Sequence, residues 1–372
     1  MDWIALQPLA GGMALGAEQA VGCKPIKILS QPDYEYNDSF LVDYWKDVKY
    51  EYLDYKKYNL DLVVAVPVCA GLSSLNCSKT RGSDAPQNDN MLFLTEYTLT
   101  VLQPKVFIFE NAPGLFTKVG AGVVEKLRST AVNNNYSLTL YKTNTYYHGI
   151  PQKRPRTFAL FWKDSCCPEM EYENIPSNVV DYLDEIPSTA AYYDLVYDES
   201  VATSNYIKYT KLKRLPLKDN VIKNLVKQQL LDDYLEYLTD EKEKRYIEHV
   251  KYKLSKYQGF WNKSPIIVTP GYINTLQGKN YNRFYLPWKS RNLTVREMIW
   301  LMGHPHDYML KDNPHKHINV IGQNVPVATA RFITRQAVKF LNKELKITNN
   351  VFLRQENKVQ EKRQTVDLNE IF

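Results

Sequence analysis

Three kinds of side chain that could act together on an electron-poor ring stand at the ends of apolar runs. Residues 62–66 lead into Pro67-Val68-Cys69 and so finish in a thiol. Residues 106–109 lead into Glu110, followed by the turn-like Asn111-Ala112-Pro113-Gly114. A third run, 157–162, is preceded by Gln152-Lys153-Arg154-Pro155-Arg156, which adds two guanidinium groups on alternate positions. In an open α/β sheet, groups just outside the carboxyl ends of the strands share one crevice. A nucleophile, an acid and a cation meeting there suit covalent catalysis, which splits one hard step into two easier ones. A cysteine after a strand is more often a small core residue. The ordered company of Glu110, Arg154 and Arg156 argues for chemistry at Cys69.

Positioning these groups needs a sheet. Short apolar runs at 3–9, 26–29, 62–66, 106–109 and 157–161 alternate with helical patterns such as 13–20, 91–102 and 122–133. That alternation predicts a parallel, doubly wound α/β sheet. From about Ser165 the composition shifts to Tyr, Lys and Asp, and no glycine occurs between Gly149 and Gly259. A helix is expected over 219–238 and a strand-and-loop section over 264–285. Residues 165–316 therefore read as a smaller lobe inserted into a first lobe of 1–164. The chain returns through 317–372, with a helix over 325–345 and a charged tail from 348 read as a surface helix.

The wording and order of these segments resemble the DNA (cytosine-5) methyltransferases. Their Pro-Cys, Glu-Asn-Val and Gln-x-Arg-x-Arg strings correspond to Pro67-Val68-Cys69, Glu110-Asn111-Ala112 and Gln152 to Arg156. Arg291 to Glu297, running on to Leu301-Met302-Gly303-His304-Pro305, resembles a later block. Ile321-Gly322-Gln323-Asn324-Val325-Pro326 resembles the last one. The resemblance implies a Rossmann-like catalytic domain and an inserted target-recognition lobe. It also implies transfer of a methyl group from S-adenosylmethionine to C5 of a cytosine flipped out of duplex DNA.

On that resemblance Cys69 is the nucleophile at C6, its pKa lowered by backbone N–H groups and nearby cations. Glu110 is the acid at N3, its pKa raised by partial desolvation. Arg156 holds the base carbonyl and orients Glu110, while Arg154 supports the loop or contacts phosphate. Ser73, Gln152, Thr275, Lys279 and Arg283 are candidate DNA contacts, with the basic stretch 208–214 beside them. Arg296 and Glu297 are read as a lock between the lobes. The pairs His304/His306 and His315/His317 lack further ligands in the pattern and are read as surface residues, not a metal site.

The donor pocket departs from the family. Candidates there are Pro8, Leu9, Ala10, Gly11 and Gly12 after the first strand, Ser30 and Gln31 after the second, Asp54, Pro67, and Gln323, Asn324 and Val325. Gln7 replaces the family's aromatic, Leu9 its first glycine, and no acid occupies the ribose position, although Asp33 or Glu35 could substitute. Three readings remain open: an ordinary divergent enzyme (the favoured one), a modified sulfonium donor, or weak donor binding helped by a partner protein. A tRNA substrate and a non-catalytic DNA-binding chain are the further alternatives.

Composition sets wider bounds. The 372 residues exceed one typical domain, and 44% hydrophobic with 24% charged residues is ordinary for a globular protein. A net charge of +6 leans toward a polyanion such as DNA. The five cysteines include no C-x-x-C pair, which points to reduced thiols in a cytosol rather than to disulfides or zinc. The size and single lobe pair resemble prokaryotic or phage members of the family, which implies a bacterial or phage-infected cytoplasm. No apolar run spans a membrane. A monomer is expected.

Overall fold

A computed structural model describes residues 1–74, 76, 81–196, 235, 241–257, 266–277, 284–311 and 314–357. Its strands are β1 (Trp3–Leu6), β2 (Lys27–Ser30), β3 (Tyr50–Tyr52), β4 (Leu62–Ala65), β5 (Val106–Asn111), β6 (Tyr136–Asn144), β7 (Gln152–Lys153) and β8 (Pro155–Lys163). Further along are β9 (Ile266–Ile267), β10 (Ile273–Asn274), β11 (Phe284–Leu286), β12 (Arg291–Asn292) and β13 (Phe352–Glu356). The helices are α1 (Gly12–Val21), α2 (Glu35–Tyr44), α3 (Asp89–Tyr97), α4 (Ala121–Asn133) and α5 (Val179–Asp184). They continue with α6 (Glu241–Tyr257), α7 (Val295–Trp300), α8 (Pro314–Gln323) and α9 (Val327–Leu341).

The central sheet has eight strands in the order β13-β6-β8-β5-β4-β1-β2-β3. From β3 to β5 every neighbour is parallel, whereas β8 runs antiparallel to both β5 and β6. The chain winds outward from β1 to β3, then resumes with β4 on the other side of β1. That reversal opens a crevice at the carboxyl ends of β1 and β4.

Strand residues alternate between two cores. Trp3 and Ala5 pack with α1 and α9, while Ile4 and Leu6 pack with α3 and α4. Coverage on both faces is why the strands read as unbroken apolar runs. Helix α1 sits so close to α9 that a Cβ on Gly12 would lie 1.8 Å from the Val325 carbonyl oxygen, and one on Gly16 2.5 Å from the Ala330 methyl. The missing side chains let the start of α1 touch Asn324 and Val325.

Several expectations change. The first apolar run ends at Leu6 rather than at residue 9, because Gln7 and Leu9 adopt left-handed backbone. The helix expected over 91–102 becomes α3 followed by a π-helical turn, Thr98–Leu102. In the tail, Phe352–Glu356 is not helix but β13, which extends the sheet beside β6. Residues 358–372, the stretch 208–214, and the helix expected over 219–238 (Leu235 apart) lie outside the described residues. Among the described residues no helix is long and apolar enough to cross a membrane.

His304 and His315 are buried, against the expectation of surface histidines. Burial pushes His304 down to about 4, and its Nε2 meets the Ala10 carbonyl oxygen at 3.1 Å. His306 stacks on Trp300 with ring centroids 4.0 Å apart. Arg296 donates to the carbonyls of Ala191, Pro305 and Tyr308, so one guanidinium joins two loop segments around α7.

Candidate active site

Because β8 is antiparallel to β5, its first residues lie at the edge where β4 and β5 finish. Glu110 pairs with Phe158 in register, and Arg156 stands two residues before Phe158 on the same face of β8. Diagonal neighbours of this kind are within reach of long side chains. Arg156 Nε lies 2.6 Å from Glu110 Oε1, and the Glu110 side chain is only 4% exposed. Burial raises the Glu110 carboxyl above its ordinary range, with the Arg156 and Arg154 charges opposing. The result is an acid poised beside a fixed guanidinium.

Cys69 is half-buried on the loop after β4. The expectation of a depressed pKa fails: burial pushes the thiol up, the Glu110 charge adds to that, and Arg156 and Arg154 offset only part. Burial thus favours the neutral Cys69 thiol over the thiolate. Asn111 secures the loop, since its side-chain N–H reaches the Val68 carbonyl at 3.5 Å and Met91 Sδ at 3.3 Å.

Arg154 and Gln152 occupy places unlike those expected of groups that touch phosphate or a base edge. Arg154 is 1% exposed and donates to the carbonyls of Leu276 at 2.5 Å, Gly322 at 3.0 Å and Asn324 at 2.6 Å. Gln152 is fully buried; it donates to the Leu301 carbonyl and accepts from the Leu276 N–H. These two side chains are struts that bind the 276 and 322–324 segments to the start of β8. A groove contact by Gln152 is corrected on that ground, since a buried amide with both ends engaged has nothing left for a base. Thr275 donates to the Lys153 carbonyl at 2.6 Å beside the β7–β10 pairing. Ser73 is half-buried on the loop beyond Cys69, while Lys279 and Arg283 lie outside the described residues.

At the β1–β4 crevice, Gln7, Leu9 and Gly11 all have left-handed backbone, with φ of 46°, 55° and 85°. For the two non-glycine residues this costs roughly 1–3 kcal/mol each, strain of the sort retained at working sites. Asp38, fully buried on α2, holds the loop by accepting from the Leu9 N–H at 2.8 Å and from the Ser30 hydroxyl. The Ala10 carbonyl accepts from Tyr308 at 2.8 Å as well as meeting His304. Pro8 closes the turn by accepting from the Gly11 N–H. Pro67 is buried at the end of β4, and Gln323 is exposed beside buried Asn324 and Val325. Asp54 turns its carboxylate to Tyr58 and Lys56 on its own loop.

Burial raises Asp38 to about 7, so the native state keeps a proton that the unfolded chain has already lost. Between about pH 4 and 7 this contribution favours folding less as pH rises, by up to roughly 4 kcal/mol in all. Asp38→Asn should remove that slope: thermal melts from pH 5 to 8 are expected to diverge, with the variant gaining on the wild type toward pH 8. Parallel curves would place the titration elsewhere.

An S-adenosyl donor can be tested against these residues. Gly11 gives α1 no side-chain cap, so the first N–H groups of that helix are available to an anion such as a carboxylate. Asn324 Nδ2 is buried without a partner beside Gly12. Both features fit an amino-acid end. The ribose acid is missing; Gln31 is the first polar residue past β2 at the crevice.

Comparison with known proteins settles the family. A family model described as C-5 cytosine-specific DNA methylase matches residues 6–339. The chain belongs to that family. This methylase is 22% identical over 359 residues to the type II methyltransferase M1.HphI of Haemophilus parahaemolyticus, covering 92% of this chain and 88% of that one. It is 25% identical over 374 residues to M.XorII of Xanthomonas oryzae pv. oryzae, with 90% and 84% covered. A relative in Methanocaldococcus jannaschii is 24% identical over 284 residues, covering 75% of this chain and 66% of that one. Among solved structures, a prophage-encoded chain of E. coli superposes with a TM-score of 0.62 at 17% identity, covering 92% and 99%. The methyltransferase EhMeth of Entamoeba histolytica gives 0.58 at 12%, covering 92% and 98%. These likenesses show the fold: a Rossmann-like, mostly parallel sheet with flanking helices.

The sequence did not single out Asp38, Asn90 or Asn111 as parts of the site. Only Asn111 carried a signal, its place next to Glu110 at the end of a strand.

Proposed function

We propose that this methylase transfers a methyl group from S-adenosylmethionine to C5 of a cytosine flipped out of double-stranded DNA, through a transient bond between Cys69 Sγ and C6. The observation that carries the reading is the meeting of Cys69, Glu110 and Arg156 at one sheet edge, beside the crevice between β1 and β4. Residues Leu9 to Gly12, Gln31, Asn324 and Val325 would hold the donor, with Pro8, Ala10, Ser30, Asp54, Pro67 and Gln323 around them. When bound, S-adenosylmethionine supplies an electrophilic methyl group.

The chain's own residues do the rest. The Cys69 thiol gives its proton to solvent water and its sulfur adds to C6, while Glu110 donates a proton toward N3, so the electrons displaced by addition reach C5 as an enamine. Arg156 fixes the Glu110 carboxyl and offers N–H groups to the base carbonyl. After C5 has been alkylated, its proton passes to solvent water, the C5–H electrons reform the C5–C6 double bond as the Cys69 sulfur leaves C6 as thiolate, and N3 returns its proton to Glu110. Residues 165–316, with Thr275, Lys279 and Arg283, would face the duplex, and Ser73 would approach it from the nucleophile's loop.

The retained left-handed turn at Gln7 and Leu9 favours a working donor loop over a degraded one. Sequencing of DNA from a bacterial host that expresses the chain should find 5-methylcytosine in one short context. Labelled donor offered to DNA and tRNA side by side should mark DNA. Label on tRNA alone, or on neither, overturns the reading.

A further inference from the structure

Three strand ends of the switch-point crevice are tied together by a single amide. Asn90, in the first turn of α3, accepts from the Val68 N–H at 3.0 Å, next to the nucleophile. The same oxygen accepts from Gln7 Nε2 at 3.3 Å, just past β1. Its nitrogen donates to Gln7 Oε1 at 3.2 Å and to Gln31 Oε1 at 2.8 Å, just past β2. Gln7 is fully buried, whereas Gln31 and Asn90 are half-buried and border the crevice. The hydroxyl of Tyr34 also neighbours the Gln7 amide. The next residue of α3, Met91, packs its sulfur on Asn111, so one helical turn touches the ends of β1, β2, β4 and β5.

Such a cluster has a consequence for order. The amides of Gln7 and Gln31 belong to the donor side of the crevice, while the Val68 N–H belongs to the peptide that precedes Cys69. A molecule seated over Gln7 and Gln31 therefore restrains Asn90, and Asn90 restrains the loop that aims the thiol. Linked polar groups of this kind move together, because losing one hydrogen bond leaves the others poorly satisfied.

We propose that Asn90 is a positioning residue that couples occupancy of the donor pocket to the conformation of the Cys69 loop. This rests on the donor reading given above. The coupling makes the nucleophile's loop rigid once the donor is in place, which sets an order of events without any contact between Asn90 and the reacting atoms.

The test measures alkylation of Cys69 by iodoacetamide, followed by peptide mass spectrometry, with and without S-adenosylhomocysteine. In the wild type, saturating S-adenosylhomocysteine should slow alkylation roughly tenfold, the order of effect that one or two hydrogen bonds can transmit. Asn90→Leu should bring that response to about twofold or less, while calorimetry still detects S-adenosylhomocysteine with affinity within roughly tenfold of wild type. Asn90→Asp keeps the acceptor for the Val68 N–H and the Gln7 amide but loses the donor to Gln31, so it should restore about half of the response. A purely structural role would lower the melting temperature and leave the response intact. Gln31→Leu, at a half-exposed position, should halve the response and serves if Asn90→Leu does not fold.

Full protection retained in Asn90→Leu overturns the proposal, as does retention in Gln31→Leu should that variant stand in. Binding of S-adenosylhomocysteine to the wild type with no change in alkylation also overturns it, and leaves the donor reading standing. No binding heat with the wild type sinks the donor reading and the proposal together.

Discussion

Cys69→Ser is expected to abolish methyl transfer, by on the order of 10^4-fold or more, while S-adenosylhomocysteine and duplex DNA still bind. Serine is nearly isosteric at this half-buried position, so the loop after β4 should keep its shape. Its hydroxyl is a far weaker acid than a thiol, and Glu110, the carboxylate whose charge reaches this position, is engaged with Arg156 rather than free to act as a base. The thiol itself is pushed above its ordinary value of 9.0 by burial and by the Glu110 charge. Alkylation of Cys69 in the free enzyme should accordingly keep rising past about pH 10, where an unperturbed thiol has levelled off. A plateau at neutral pH would show that the arginines, not burial, control the sulfur. Methyl transfer surviving in Cys69→Ser would remove the sulfur from the mechanism altogether.

Much of this arrangement was legible in the chain because buried parallel strands leave a plain record. The runs that became β1, β2, β4, β5 and β8 are apolar on both faces, since helices cover both. β6 escaped notice because Ser137, Thr139 and Thr143 interrupt its pattern, although all three are buried. β3, a three-residue Tyr-Glu-Tyr edge, has too little length to show a period. β13 lies in a charged tail, where pairing with β6 overrides local composition.

The order of Cys69, Glu110 and Arg156 could be read because each stands at the margin of an apolar run: Cys69 just beyond β4, Glu110 in the last two residues of β5 and Arg156 at the start of β8. What the chain could not disclose was depth. Gln152 and Arg154 share the alternate spacing of Arg156, yet their partners come from residues 276, 301, 322 and 324, so only the fold decides that they are struts. The thiol's acidity was misjudged for the same reason: neighbouring cations are visible in sequence, whereas desolvation is a property of the assembled crevice. Asp38 and Asn90 act across separations of 29 and up to 83 residues, with no local pattern to mark them.

Glu110→Gln separates the acid's two effects, because it should slow catalysis and quicken alkylation at once. The amide keeps the shape of the side chain and can still accept from Arg156, but it has no proton to give toward N3. A lost general acid costs about 10^2- to 10^4-fold, so methyl transfer should fall by that amount. The Cys69 thiol, meanwhile, is raised in part by the Glu110 charge, and the two arginine charges lower it. Removing the carboxylate takes away the first influence and leaves the guanidiniums unopposed, so both changes move the thiol downward. Iodoacetamide should therefore modify Cys69 faster in Glu110→Gln than in the wild type at pH 8, with the gap closing at higher pH as both thiols ionise. Slower alkylation would mean that Glu110 is already neutral beside Arg156 and acts on the sulfur through packing. An unchanged turnover number would mean that the proton on N3 comes from elsewhere, and the acid's place at the end of β5 would then be structural.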